Sequence, residues 1–155
     1  MILPDANLLL YAYDQSSPFH RVAKDWWERV MSSQDAVILL PAVAFGFVRI
    51  STHPRVFQAP LAVADAASHV RSWMERPQVQ WHEMLPEDVE TALQLLESAG
   101  TAGNLTTDAQ IAAVALRLDA EIHTADFDFG RFPQVRFVNP LGTLGHPKSP
   151  PTGTD

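Results

Sequence analysis

The sequence predicts an α/β fold with a central, mostly parallel sheet of four to five strands flanked by helices. Short β-prone runs alternate along the chain with segments of helical periodicity, and this alternation is typical of parallel sheets, in which a helix connects one strand to the next. Prolines open several of the helical segments, where the missing backbone N–H breaks no hydrogen bond. The two patterns together indicate a sheet covered by helices.

The elements follow one another in a regular order. The predicted strands are short apolar runs at residues 2–3, 37–40, 79–82, 121–123 and 135–138. The predicted helices cover residues 18–32, 41–52, 60–76, 86–98 and 106–119. Pro41, Pro60 and Pro86 lie in first helical turns, and Gly100 and Gly103 interrupt the chain after the fourth helix.

The chain length favours one domain. With 155 residues and 46% hydrophobic content, the chain can bury one core but is short for two. We expect the domain to cover residues 1–141. Residues 142–155 contain three prolines and three glycines without apolar periodicity, so we expect a flexible C-terminal tail.

The composition predicts a cytoplasmic protein. The apolar run at residues 8–13 stops at Asp14, far short of the ~20 residues that span a bilayer. The first residues lack the basic region of a signal peptide. The absence of cysteine excludes disulfides, zinc–thiolate sites and thiol nucleophiles, which is consistent with a reducing compartment.

The charge balance is unusual for a protein that binds nucleic acid. Eighteen acidic and eleven basic residues give a net charge of −7, so an overall basic surface is missing. A bound divalent ion would still supply local positive potential. An acidic surface also suits a basic protein partner, and both interpretations remain open at this point.

Four aspartates mark the candidate functional site. Asp5 follows the first strand, Asp126 and Asp128 follow the fourth, and Asp108 opens the last helix. Ligands of open α/β sheets bind at the carboxyl ends of the strands, so all four carboxylates are expected at that edge. Each pair would repel by about 4 kcal/mol at about 4 Å unless a cation lay between them. Oxygen ligands alone favour Mg²⁺ or Mn²⁺.

Taken singly, these residues also have ordinary explanations. An acid in a first helical turn, such as Asp108, commonly caps N–H groups, and acids before Gly130 are typical of a turn. Other chemistry is poorly represented, because the chain has no phosphate-binding glycine loop, no nucleophile elbow and no histidine spacing typical of zinc sites. Coincidence of all four aspartates is therefore less plausible than a metal site.

Two predicted helices carry unusually apolar faces. Trp26 and Trp27 lie on the first, and Phe47, followed by Arg49, lies on the second. These side chains either pack inside the domain or form a surface for a dimer or a partner peptide. Both interpretations remain open, and the candidate surface for a partner peptide or a dimer consists of Trp26, Trp27, Phe47 and Arg49.

The aspartates lie in motifs that resemble the PIN domain. The matching segments are Asp5-x-Asn7, Thr107-Asp108-Ala109 and Thr124-x-Asp126-x-Asp128. With the segments at residues 47–57 and 131–140, the resemblance extends over about residues 1–141. Within that family, the chain looks like the VapC ribonuclease toxins of type II toxin–antitoxin pairs.

The resemblance implies a PIN-like fold and a complete functional assignment. It implies an endoribonuclease whose catalytic acidic site is Asp5, Asp108, Asp126 and Asp128. Mg²⁺ or Mn²⁺ would be held by Asp5, Asp108 and Asp126, while Asp128, Asn7 and Thr124 would order water or orient the carboxylates. It also implies products with a 5′-phosphate, a VapB-like antitoxin that inserts a basic residue among the carboxylates, and a homodimer. The RNA target is not encoded in any motif.

One position departs from the family pattern. Many PIN domains have a glutamate three residues before the arginine that corresponds to Arg49, whereas this chain has Gly46. A second metal ion is therefore not expected. The loss also leaves a second hypothesis, in which the chain is a catalytically weak module that binds RNA or the antitoxin.

Two other metal–aspartate families fit less well. A haloacid-dehalogenase-like phosphatase requires an aspartate where Asn7 stands and a downstream lysine. A phosphoacceptor receiver domain also requires that lysine. The only lysine after residue 24 is Lys148, in the predicted tail.

Overall fold

A computed structural model describes residues 1–142. Five strands form one sheet in the order β3-β2-β1-β4-β5, and every neighbouring pair is parallel. Their bounds are β1 (Ile2–Pro4), β2 (Val37–Leu39), β3 (Val79–Trp81), β4 (Glu121–His123) and β5 (Phe137–Val138). All five predicted strands are therefore confirmed, and the sheet is wholly parallel. The predicted tail lies, from residue 143 onward, outside the described residues.

Six α-helices flank the sheet. They are α1 (Ala6–Tyr13), α2 (His20–Ser32), α3 (Pro41–Ser51), α4 (Val63–Met74), α5 (Pro86–Ala99) and α6 (Leu105–Leu118), with a short 3-10 helix at Phe127–Arg131. The helices α2 to α6 correspond to the five predicted segments. Pro41 and Pro86 open α3 and α5 as expected, but Pro60 precedes α4. No helix within residues 1–142 has the length and apolarity required to cross a membrane.

Two elements, α1 and the 3-10 helix, are absent from the predicted order of elements. The α1 residues Leu8 and Leu9 are both fully buried, so the helix is apolar on more than one side and lacks the amphipathic period that reveals a surface helix. The 3-10 helix has only five residues and was interpreted as a turn. Both missed elements border the carboxyl edge of the sheet, where the aspartates lie.

The hydrophobic core consists of the buried residues of the sheet and of the helices that cover them. Leu3, Ile38, Leu39 and Ile122 are completely buried in the strands. All three residues of β2 and the last two of β1 are buried, as expected for strands covered on both faces, whereas β3, β4 and β5 each contain at least one exposed residue.

Aromatic rings join four helices in the interior. Trp73 of α4 packs edge-on against Trp27 of α2 and Phe47 of α3, with ring centroids 5.7 Å and 4.9 Å apart. Tyr13 of α1 contacts Phe47 at 5.5 Å, and Trp26 contacts Trp27 at 5.4 Å. The four helices are therefore held together by one continuous aromatic cluster.

This cluster corrects the predicted partner surface. Trp26, Trp27 and Phe47 are 3%, 5% and 0% exposed, so the prediction that they form a surface is wrong. The physical reason is that Trp73 of α4, itself 2% exposed, packs against Trp27 and Phe47, while Trp26 packs against Trp27 and against His123 of β4. Of the four predicted surface residues, only Arg49 is exposed.

Candidate active site

The register of β1 with β4 creates the site. Pro4, the last residue of β1, is paired with His123, the last residue of β4. The residues that follow, Asp5 and Thr124, therefore leave the sheet side by side at its carboxyl edge, and the Asp5 N–H donates to the His123 carbonyl at 2.9 Å. The site thus begins where two adjacent parallel strands end, as expected for this class of sheet.

A buried hydroxyl connects the two strand ends. Thr124 is completely buried, and its Oγ1 donates to Asp5 Oδ2 at 2.8 Å. The same oxygen accepts from the Asp126 backbone N–H at 2.9 Å and from Asn7 Nδ2 at 3.1 Å. One donated and two accepted hydrogen bonds use the full capacity of a hydroxyl, so Thr124 has a single well-defined orientation.

Asn7 provides the second connection. Its Nδ2 donates to both Asp5 Oδ2 (2.9 Å) and Thr124 Oγ1 (3.1 Å), and its Oδ1 accepts from the Ala125 N–H at 3.2 Å. The other Asp5 oxygen accepts from the Ala6 N–H at 2.7 Å. The first turn of α1 and the segment after β4 are therefore locked together around the Asp5 carboxylate.

Three aspartates form a compact oxygen cluster. One carboxylate oxygen each from Asp108, Asp126 and Asp128 lies within 4.8 Å of the other two. Asp108 stands in the first turn of α6, while Asp126 caps the 3-10 helix and accepts from the Asp128 N–H at 2.8 Å. The tight 3-10 turn therefore brings two carboxylates from neighbouring positions toward one point.

The oxygen cluster contains two of the three predicted metal ligands. Asp128, predicted as a member of the acidic site that orders water or orients the other carboxylates, belongs to the cluster as well. Asp5 was expected to be a principal ligand, but it lies outside that cluster and its carboxylate accepts hydrogen bonds from Ala6, Asn7 and Thr124. The assignment of the metal ligands among these aspartates stays a prediction.

The carboxylates raise the proton affinity of their neighbours. The pKa of Asp108 is raised to about 7, first by burial and then by the negative charges of Asp5, Asp126 and Asp128. Burial also raises the pKa of Asp5 and the charge of Asp126 adds to this effect, against hydrogen bonds from Thr124 and Ala6 that lower it. The ion pairs formed within residues 1–142 leave all four aspartates without a basic partner.

The donor atoms are suited to a hard divalent cation. Within the described residues, the cluster offers carboxylate oxygens and no nitrogen or sulfur ligand. Such a set favours Mg²⁺ or Mn²⁺ over zinc, which prefers nitrogen and sulfur ligands. Nearby His123 is engaged elsewhere, because its Nδ1 accepts from Trp26 Nε1 at 3.0 Å and burial lowers its pKa.

Gly46 borders the site without contributing a ligand. It lies on α3 beside the start of α1, and a Cβ at this position would stand 3.6 Å from the Ala6 Cβ, at ordinary van der Waals distance. The backbone therefore has room for the first atom of a side chain next to Asp5. The oxygen cluster contains three aspartates and no glutamate among the described residues.

One residue near the site was not singled out from the sequence. The pKa of Tyr11 is raised by burial and then by the charges of Asp126 and Asp5, so its phenol lies within electrostatic reach of both. The available signal was its spacing: Tyr11 follows Asn7 by four residues, which places both on one face of α1. That signal was hidden because α1 itself was not recognised as a helix.

The parallel sheet and the cluster of aspartates at its carboxyl edge place the protein among α/β proteins with an acidic site of the kind that binds metal ions. The sequence matches the PIN domain family over residues 2–135. It is 45% identical to ribonuclease VapC33 of Mycobacterium tuberculosis, over 91% of this chain and 99% of the relative. Identity to ribonuclease VapC37 of the same organism is 33%, over 93% and 100% of the two chains.

Solved structures share the fold. The Mycobacterium tuberculosis toxin VapC20, described as cleaving the sarcin–ricin loop, superposes with a TM-score of 0.66 at 20% identity, covering 88% of this chain and 99% of that one. VapBC2 from Rickettsia felis, solved with a promoter DNA fragment, gives 0.64 at 18% identity over 90% and 98%. The chain belongs to the PIN-domain family, within its group of VapC ribonucleases.

Proposed function

We propose that the protein is the toxin of a type II toxin–antitoxin pair and acts in the cytoplasm as an endoribonuclease that depends on Mg²⁺ or Mn²⁺. The observation that carries this proposal is the oxygen cluster of Asp108, Asp126 and Asp128. The cluster lies in a chain that is 45% identical, over nearly its whole length, to a protein named as a ribonuclease.

The aspartates divide into holding and organising residues. Asp108, Asp126 and Asp128 would hold the ion, because their oxygens already converge. When bound, the ion supplies positive charge at the scissile phosphate and makes water a better nucleophile at neutral pH. Asp5, on the opposite side of the Thr124 hydroxyl, orients the segment that carries Asp126 through the hydrogen bonds of Thr124 and Asn7. One oxygen cluster supports one firmly held ion.

The exposure of the site suits a polymeric substrate. Asp108 and Asp126 are half-buried and Asp128 is exposed, so a phosphodiester can approach the carboxylates from solvent. The concentration of negative charge at the site also has a functional consequence. Four carboxylates repel an RNA phosphate until a cation is present, so binding of the reactive phosphate is coupled to binding of the ion.

The proposed partner is a VapB-like antitoxin with a basic segment. Its cationic side chain would enter the acidic site, where the described ion pairs leave the four aspartates without a positive partner. On α3, Phe45 is 67% exposed and Arg49 lies one turn later on the exposed side. These two residues replace the buried aromatic residues as the proposed contact on that helix. The homodimer of the family is part of the same proposal.

Gly46 favours a second candidate function. Because no glutamate joins the cluster, catalysis could have been lost while the fold and the binding surfaces remained, which would leave an RNA- or antitoxin-binding module. The two functions differ in whether purified protein cleaves RNA.

The test is a cleavage assay on total cellular RNA with Mg²⁺, Mn²⁺ or a chelator, followed by sequencing of RNA ends. We expect discrete cuts with 5′-phosphate ends in either metal and none with the chelator. Asp126→Asn, checked for folding by circular dichroism, should leave the RNA intact. Equal cutting by wild type and Asp126→Asn would contradict the enzyme assignment, and intact RNA throughout would favour the binding module.

A further inference from the structure

Tyr11 lies on the face of α1 that is turned toward the acidic site. Asn7, four residues earlier, reaches across to Thr124 and Ala125 from the same face. Tyr11 therefore stands one helical turn beyond a residue that already contacts the segment carrying Asp126. The electrostatic influence of Asp126 and Asp5 on the phenol agrees with this placement.

Two contacts hold Tyr11 in position. Its ring packs against Phe19, with centroids 5.1 Å apart and planes inclined by 52°. Its backbone carbonyl, in the last turn of α1, lies 3.1 Å from His20 Nδ1, which donates in the corresponding tautomer. The side chain is half-buried. The ring is thus anchored by neighbours from the start of α2, and the position of its hydroxyl is restricted.

The hydroxyl of Tyr11 is not used by the fold. Within residues 1–142, no hydrogen bond engages it, and no buried side-chain oxygen or nitrogen lacks a partner, so this oxygen meets solvent. The neighbouring Tyr13 behaves differently, because its hydroxyl accepts from Trp73 Nε1 at 2.8 Å inside the aromatic cluster. Two tyrosines on one short helix thus have different roles: one hydroxyl serves the core and the other is available.

The environment keeps this hydroxyl a donor. Burial and the charges of Asp126 and Asp5 raise the pKa of Tyr11 above its ordinary value, so the phenol retains its proton at neutral pH. An arginine or lysine at the same place would pair with the aspartates, whereas a neutral O–H leaves them free for a cation. Such a donor can bind an anionic phosphate oxygen, the most abundant acceptor of an RNA backbone.

We infer that the Tyr11 hydroxyl is a substrate-binding group, which donates a hydrogen bond to a non-bridging phosphate oxygen of single-stranded RNA beside the acidic site. This inference rests on the proposed ribonuclease function. It adds a neutral contact that holds the RNA backbone next to four carboxylates.

The test compares Tyr11→Phe with Tyr13→Phe, since each variant removes one oxygen from the same helix. Cleavage of a single-stranded RNA is measured in Mg²⁺, together with Tm and with binding of the same RNA by fluorescence anisotropy in an Asp108→Asn background. For Tyr11→Phe we expect an unchanged Tm, weaker RNA binding and a loss of about ten- to a hundredfold in kcat/KM, the usual effect of one hydrogen bond to a charged group. For Tyr13→Phe we expect a lower Tm and an unchanged kcat/KM below that temperature.

The outcomes separate the two proposals. A wild type that cleaves RNA, beside a Tyr11→Phe protein with the same kcat/KM and the same binding, would overturn the role of Tyr11 alone. The role would equally be overturned if Tyr11→Phe lowered Tm as Tyr13→Phe does and changed activity no more than that variant. A wild type that does not cleave overturns the ribonuclease proposal, and unaltered RNA binding by Tyr11→Phe would then overturn the contact as well.

Discussion

Two aspartates at the starts of neighbouring helices occupy opposite electrostatic environments. Asp88, in the first turn of α5, is 1% exposed. It accepts from the Leu85 N–H at 2.8 Å and from Arg117 Nε at 2.8 and 3.0 Å. Asp108, in the first turn of α6, has no basic partner among the described ion pairs and faces three other carboxylates. The two helices pack against each other, so the contrast arises within one helix pair.

The difference separates an acid that is paired within the fold, Asp88, from one that we propose to be functional, Asp108. The Asp88 carboxylate is paired with Arg117 and accepts from the backbone N–H of Leu85, and the ion pair connects α6 to the beginning of α5. The carboxyl of Asp108 instead has a pKa of about 7 because burial and like charges oppose its ionisation. A carboxyl whose pKa is raised in this way is a candidate functional group, and a bound cation would offset the repulsion.

The largest expected effect follows from removing these two charges separately. Asp108→Asn should reduce RNA cleavage by more than about a hundredfold, beyond the loss typical of residues that only support a metal ligand. Asp88→Asn should leave kcat unchanged but lower the free energy of unfolding by about 3 kcal/mol, since Arg117 loses its buried partner. Cleavage rates and urea unfolding of both variants provide the measurements.

Each variant is the control for the other. A large loss of activity in well-folded Asp88→Asn, or full activity in Asp108→Asn, would erase the distinction between the two acids.

A second, smaller effect concerns the support around Asp5. Thr124→Val removes a fully used, buried hydroxyl and leaves Asp5, Asn7 and the Asp126 N–H each without one partner. Activity should fall about ten- to a hundredfold, while Thr124→Ser, which keeps the hydroxyl, should remain near wild type. Steady-state kinetics test both, and equal activity of the valine and serine variants would assign Thr124 to packing alone.

Metal binding should stabilise the folded protein through Asp108 and not through Asp88. A ligand that binds only the folded state adds about 2.7 kcal/mol when present at a hundred times its Kd. Mg²⁺ or Mn²⁺ should therefore raise the Tm of the wild type and of Asp88→Asn, relative to a chelator, and have little effect on Asp108→Asn. The thermal shifts of the three proteins are compared at one ionic strength. A shift of equal size in Asp108→Asn would place the ion elsewhere.

The smallest expected effect is on the pH dependence of stability in the presence of a chelator. The pKa of the Asp108 carboxyl is near 3.8 in the unfolded chain, whereas burial and the neighbouring charges raise it to about 7 in the folded protein. Between these values the folded state binds more protons, so this group stabilises the fold at low pH and the contribution is lost as pH rises through 7. Asp108→Asn has no such loss and should exceed the wild type in Tm by a few degrees at pH 8.

His123 changes the stability with pH in the opposite direction, and comparison of Asp108→Asn with wild type removes this contribution. Its pKa is lowered by burial, so its contribution to stability is lost as pH falls below the unfolded value of 6.5. Because both proteins contain His123, only the Tm difference between Asp108→Asn and wild type is informative. A difference that is constant from pH 5 to pH 8 would contradict the raised pKa of Asp108.

Much of the architecture was readable from the chain. Apolar runs predicted all five strands, and helical periodicity predicted α2 to α6. An amphipathic element has apolar residues at regular intervals in the sequence, and this pattern identifies its buried face. The helix α1 escaped, since Leu8 and Leu9 are buried without a polar face to give them a period. The 3-10 helix escaped because five residues contain less than two turns of any pattern.

The aspartates illustrate how far local sequence reaches. Residue type and position after strands 1 and 4 were enough to predict an acidic site at the carboxyl edge, since parallel strands end on one side. They could not predict that Asp128 joins Asp108 and Asp126 while Asp5 is occupied by Thr124 and Asn7. That arrangement depends on distances between segments about 120 residues apart in the chain.

The linear chain thus established the family, the fold class and the four acids, because each is carried by composition, period or motif. Folding in three dimensions settled the burial of Trp27 and Phe47 against Trp73 of α4, and the burial of Trp26 against His123 of β4. It also settled the availability of the Tyr11 hydroxyl and the pairing of Asp88 with Arg117. Burial and pairing are properties of neighbours distant in sequence, and no local pattern specifies which of them will meet.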